Sequence, residues 1–122
     1  MTVKAVIDKT DMLFPNVMSF SQKAERIKEL ELKIMTELFP CYEELGGISL
    51  PEEYKIDTGL LVPDAFSDIY VRYICLHNDI AGSDMVSYRN NAALFNSCYL
   101  SYMQYINRTF TAKRNSIKIS GG

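Results

Sequence analysis

The chain has a single histidine and three cysteines in 122 residues, and neither type is spaced for chemistry. Cys41, Cys75 and Cys98 form no CxxC pair and are odd in number, so neither a metal site nor a disulfide framework is expected. Free thiols on or beside apolar helix faces behave as small hydrophobes and suit a reducing interior. His77 lies on an apolar stripe, with Asp79 two residues on and therefore on another face; a core or interface histidine is expected rather than a general base. Asp64, Asp68, Asp79 and Asp84 lack DxDxD spacing, Gly46 and Gly47 sit among acids that disfavour phosphate, and Ser83 lacks a GxSxG frame. No set of acid, base, nucleophile and oxyanion donor can be assembled, so the chain is not expected to be an enzyme, and no catalytic, cofactor or metal residue is assigned. Long apolar runs are also missing. Nothing approaches the roughly 18 apolar residues of a membrane span, and Lys4, Asp8 and Lys9 interrupt any signal-peptide core.

What is present is helical periodicity. The length suits one domain, 1–122, with a modest core. From Asp84 onward, Tyr88, Ala92, Phe95, Tyr99, Tyr102 and Ile106 recur at steps of three and four with no proline or glycine between them. Phe66, Ile69, Tyr70, Tyr73, Ile74, His77 and Ile80 do the same in the preceding segment, and only Gly82 and Ser83 separate the two. An antiparallel pair of aromatic-rich helices follows. Tyr88, Tyr99, Tyr102 and Tyr105 are read as going nearly around the last helix, which implies a second surface.

The chain in order predicts the following. Residues 1–18 form an N-terminal arm: 1–10 are a short mixed run, either a strand or an arm packed on a neighbour, and 11–16 hold the turn-like Phe14, Pro15 and Asn16. Ser19 with Gln22, or else Ser21, caps a helix over about 20–39 whose inner face is Ala24, Ile27, Leu30, Ile34 and Leu38. Its outer face holds Lys23, Arg26, Lys28, Glu29, Lys33 and Glu37, and Pro40 ends it. Residues 41–61 are either an irregular loop that touches a partner or a short hairpin around Pro51. Pro63 opens a second helix over about 64–81, capped by Asp64 or Ser67, with Gly82 supplying a left-handed end. Ser83 or Asp84 then caps a third, over about 84–112, longer than a core of this size needs. Asn90, Asn91, Asn96 and Asn107 are poor mid-helix formers whose amides would cross-link to neighbours, within the chain or between chains. The tail 113–122 is either disordered or an arm added to a neighbouring subunit. The expected fold is thus mainly α, a bundle of three main helices with extended terminal arms.

Charge is uneven. Residues 1–61 hold seven Lys/Arg and eleven Asp/Glu, whereas residues 62–122 hold six and four. Ordinary surface scatter accounts for so small an imbalance; it also fits head-to-tail self-association better than nucleic-acid binding.

One stretch resembles a known group. Leu61, Val62 and Pro63, then Phe66, Tyr70, Tyr73 and Asp79, then Tyr88, Asn90, Asn91, Phe95, Asn96 and Tyr99, then Tyr105 to Arg108, form a pattern similar to small tailed-phage proteins encoded beside head and neck genes. The helical layout over about 14–110 resembles head–tail connector (adaptor) proteins. Helix two departs from the group, starting Asp64, Ala65, Phe66 in place of a proline–tyrosine start, and segments 41–61 and 113–122 lie outside the likeness. The resemblance implies a virion structural protein that is made in the bacterial host cytoplasm and has no catalytic residues. It would form a homo-oligomeric ring in the neck, between the portal protein and a tail-side neck protein. Ring contacts are heterologous, so its two faces differ. The expected contact residues are Leu50, Tyr54 and Ile56 in the loop and Lys113, Arg114, Ile117, Lys118 and Ile119 in the tail, with the three cations either pairing with partner acids or lying near packaged DNA. No membrane contact is expected. The competing reading is a small helical regulatory module that grips a peptide or another protein.

Overall fold

The computed structural model describes residues 1–113, and the expected contact residues Arg114, Ile117, Lys118 and Ile119 lie outside them. The described chain is a helical bundle of four α-helices: α1 (Val3–Leu13), α2 (Phe20–Glu37), α3 (Asp68–Ala81) and α4 (Met85–Thr109). The three expected helices are present. α1 is the addition, and it replaces the N-terminal arm. Val3, Val6, Ile7 and Thr10 are all buried and fall at i, i+3, i+4 and i+7, a helical face written in β-branched residues. Burial of that face outweighs the weak helix propensity of Val, Ile and Thr. The Thr2 hydroxyl accepts from the Ala5 amide at 3.2 Å, and the Val3 and Lys4 amides donate to the carbonyls of Thr58 and Ile56 at 3.0 and 2.9 Å. The first turn is therefore capped partly by the distant 56–58 segment.

α2 begins with the capping box expected of Ser19 and Gln22. The Gln22 amide donates to Ser19 Oγ at 3.2 Å, and the Ser19 amide donates to Gln22 Oε1 at 2.8 Å. All five expected inner residues are buried, although regular α-helix stops at Glu37, ahead of a 3-10 turn (Phe39–Cys41) that contains Pro40. Lys23 is a correction. Expected on the outer face, it is 6% exposed, and its ammonium is 2.5 Å from Asp11 on α1.

Residues 41–61 form no hairpin. They make a second 3-10 turn (Glu43–Leu45) and two isolated antiparallel bridges, Tyr42 to Ala112 and Thr2 to Gly59. The segment is irregular but pinned at both ends. α3 follows a 3-10 turn (Asp64–Phe66), so its regular part starts later than expected, with neither Asp64 nor Ser67 capping through its side chain. Gly82 closes α3 with φ −88°, not in the left-handed region; Ser83, at φ 60°, takes that conformation instead. The Asp84 carboxylate then caps α4, accepting from the Ser87 amide at 3.0 Å.

α3 is the central helix, packed against α1, α2 and α4. Tyr73 meets Phe95 with ring centroids 5.4 Å apart, and Phe66 meets Tyr102 at 5.6 Å, which sets α4 antiparallel to α3. Tyr73 also donates to Glu29, and Tyr70 to Glu31, so α2 is antiparallel to α3 as well. α4 is peripheral. The tyrosines read as encircling it occupy its inner half: Tyr102 is buried, and Tyr88, Tyr99 and Tyr105 are half-buried against the core.

Candidate assembly surfaces

The most concentrated polar chemistry is a buried carboxylate that the sequence reading passed over. Glu31, on α2, is 1% exposed. It accepts from Tyr54 Oη at 2.6 Å, from Tyr70 Oη at 2.6 Å and from the Leu61 amide at 2.8 Å. Tyr70 Oη in turn accepts from the Val62 amide at 3.0 Å. Burial first, and the Glu31 charge with it, push both phenols well above the ordinary tyrosine range. Every polar atom here has a partner, so the cluster locks segment 54–62 onto α2 and α3. A Glu flanked by leucines on an inner helical face was the available signal; it falls one residue from Leu30 and so was hidden in the apolar stripe.

That lock decides where the expected loop contacts lie. Tyr54, an expected partner contact, is 8% exposed with its hydroxyl committed to Glu31, and its remaining surface lines a groove beside Glu52 and Glu53. Leu50 is half-buried, and Ile56 is 55% exposed while its carbonyl caps α1. Lys113 is exposed. Its amide donates to Cys41 O at 2.9 Å, and the Glu44 carboxylate accepts from the Thr111 amide and hydroxyl at 2.8 and 2.9 Å. The strand-like pairing of 111–113 with 41–44 therefore fixes the point from which the tail departs.

A second polar network locks the α3–α4 hairpin. Asn91, buried in mid-helix, donates to Asp79 at 2.8 Å and accepts from Arg72 at 3.2 Å, while the Arg72 guanidinium lies 4.9 Å from the centre of the Phe14 ring. Asn107 accepts from Tyr42 at 3.2 Å. Two of the four mid-helix asparagines thus cross-link within the chain, whereas Asn90 and Asn96 face solvent. The Arg72–Asn91–Asp79 relay lines a cleft of about 360 Å³ between the end of α1, α3 and the start of α4. Its most distinctive groups are already bonded to one another. His77 packs against Tyr73, ring centroids 4.6 Å apart, and burial followed by the Arg26 charge lowers its pKa from the ordinary value. Among the described residues, no group of three or more His, Cys, Asp or Glu is placed to hold a metal ion, and no helix is long and apolar enough to cross a membrane.

No family model, curated protein or solved structure matches this chain.

The remaining candidate is the outer face of α4. Taken at 100° per residue, Val86, Arg89, Ala93, Asn96, Leu100 and Met103 share one side, pointing away from Phe95, Tyr102 and Ile106. Val86 is 80% exposed, Leu100 52% and Met103 38%. Their seven-residue recurrence, 86–93–100 interleaved with 89–96–103, is the spacing by which a helix offers a seam to another surface. Across its 25 residues α4 has two charged side chains, Arg89 and Arg108, and no acid. Interfaces are depleted of charge in this way, and solvated helix faces are not.

Proposed function

We propose that this chain is a structural virion protein of a tailed phage: a head–tail connector, or adaptor, that is made in the bacterial host cytoplasm and assembles as a ring in the neck. On this reading it carries out no reaction. It works by geometry, with helices side by side in the ring and loops and termini reaching the portal on one side and a tail-side neck protein on the other. The observation that carries the reading is the peripheral helix α4, whose exposed side is apolar and amide-rich where a monomer's surface helix would be charged. Two further features support it. The buried polar groups are consumed in holding the bundle together, and the 111–113 pairing launches the basic tail from a fixed point.

The test is mass by light scattering of the full chain, alone and mixed with the portal protein encoded nearby, with and without residues 113–122. Ring-sized assemblies that need the portal or the tail are expected. A chain that ignores the portal under all conditions contradicts the reading and favours a peptide-binding module.

A further inference from the structure

We propose that the outer face of α4 seats against a second copy of this chain, in the groove between α2 and the 52–54 loop, so that successive copies join head to tail. The proposal rests on the ring reading above and names the surfaces that make the contact.

Charge provides the first argument. Arg89 and Arg108 make no ion pair among the described residues. The groove is lined by Glu25, Glu52 and Glu53, which likewise make none, with Lys28 the one cation in its wall and Phe20, 40% exposed, at its edge. An apolar seam that carries Arg89 and no acid, and an acidic groove with an exposed aromatic, are complementary in sign and in character. Position provides the second. On α2, Arg26, Glu29, Lys33 and Glu37 face α3 and α4: Glu29 and Glu37 accept from Tyr73 and Tyr99, and Lys33 lies 5.3 Å from the centre of the Tyr99 ring. Ser21, Glu25 and Lys28, which line the groove, lie about 120° away around the same helix. The groove therefore opens on a flank that α4 does not occupy. A copy can present its seam on one side and receive a seam on another, as a heterologous contact requires. Pairing two α4 seams in parallel would instead bring like charges together.

The experiment is sedimentation of the full chain at concentrations up to millimolar, with circular dichroism verifying that each variant is folded. Leu100→Glu is expected to weaken self-association about tenfold or more. Arg89→Glu is expected to weaken it about fivefold, and mixing that chain with a Glu52→Arg, Glu53→Arg chain to restore it, because every contact in the alternating assembly is again between opposite charges. A wild-type chain that stays monomeric at millimolar concentration, a Leu100→Glu chain that associates like wild type, or a charge-swapped mixture that fails to recover overturns the proposal. If Leu100→Glu unfolds, the charge-swapped mixture decides; if Arg89→Glu unfolds, Leu100→Glu decides. Association through these faces without portal binding refutes the neck reading and leaves the contact standing. Portal binding lost in Arg89→Glu with self-association intact assigns the seam to the portal and overturns the contact.

Discussion

α2 and α4 bury their inner faces in the same core and treat their outer faces in opposite ways. α2 has eight charged residues among eighteen: Lys23, Glu25, Arg26, Lys28, Glu29, Glu31, Lys33 and Glu37. Several pair within reach of one another, Arg26 with Glu29 at 3.0 Å and Lys33 with Glu37 at 2.8 Å. α4 has two among twenty-five. Charged groups keep a helix flank solvated until a partner of opposite charge covers it, whereas an apolar, amide-rich flank is suited to meeting protein. The inner faces differ as well. α2 carries a carboxylate into the core and satisfies it with two phenols and an amide, whereas α4 contributes Phe95, Tyr102 and Ile106.

The largest expected effects break the inner half of this comparison. Tyr102→Ala empties a site 1% exposed and should cost about 4 kcal/mol in urea denaturation. Glu31→Ala leaves Tyr54, Tyr70 and the Leu61 amide without their acceptor and should cost about 3 kcal/mol. A cost under about 1 kcal/mol for the second would mean that the lock does not hold segment 54–62.

The caps come next. Ser19→Ala and Asp84→Ala each remove a side chain that accepts a first-turn amide; each should lower stability, the first by about 1 kcal/mol.

Acid should then separate the two helices. Hydrogen bonds from Asn16 and from Lys23 lower the Asp11 pKa from its ordinary 3.8, and the hydrogen bond from Lys33 lowers that of Glu37 from 4.5. A carboxyl whose folded pKa is depressed contributes stability that is present above its unfolded value and lost as pH falls through the folded one. The contributions that anchor and decorate α2 should therefore fade as pH falls below about 4, and Asp11→Asn should flatten part of that loss in melts recorded from pH 5 downward. Beyond Asp84 at its cap, α4 offers no acid to titrate.

The smallest effects on monomer stability come from the outer faces. Lys28→Glu and Leu100→Glu should each shift it by less than about 0.5 kcal/mol. Equal costs above 1 kcal/mol would show that the α4 face packs inside the monomer after all.

The sequence carried much of this, and its failures have physical causes. Ser19 with Gln22, the five inner residues of α2, and the stripe from Tyr88 to Ile106 were legible because each is a local pattern that helical geometry converts directly into burial. α1 was not, because Val3, Val6 and Ile7 have strand-like side chains and become helical through packing on α2 and α3 and through carbonyls supplied by residues 56 and 58. Ser83 rather than Gly82 takes the left-handed position, where the Ser83 and Asp84 amides close the turn onto the Ile80 and Asp79 carbonyls. Lys23 was misplaced and Glu31 unassigned because partners from distant segments bury them, and spacing along one helix does not reveal such partners. The α4 outer face is written in the sequence only as composition, a near-absence of charge over 25 residues.

The most direct test of the account is the set of backbone amide shifts of the full chain recorded at rising protein concentration. If α4 meets the α2 groove of a second copy, the shifts should move together at Val86, Arg89, Ala93, Leu100 and Met103 and at Glu25, Glu52 and Glu53, and stay fixed at Tyr70 and Ile74 in the core. Shifts that stay fixed throughout, or that move on α1 while both named faces stay still, would contradict it.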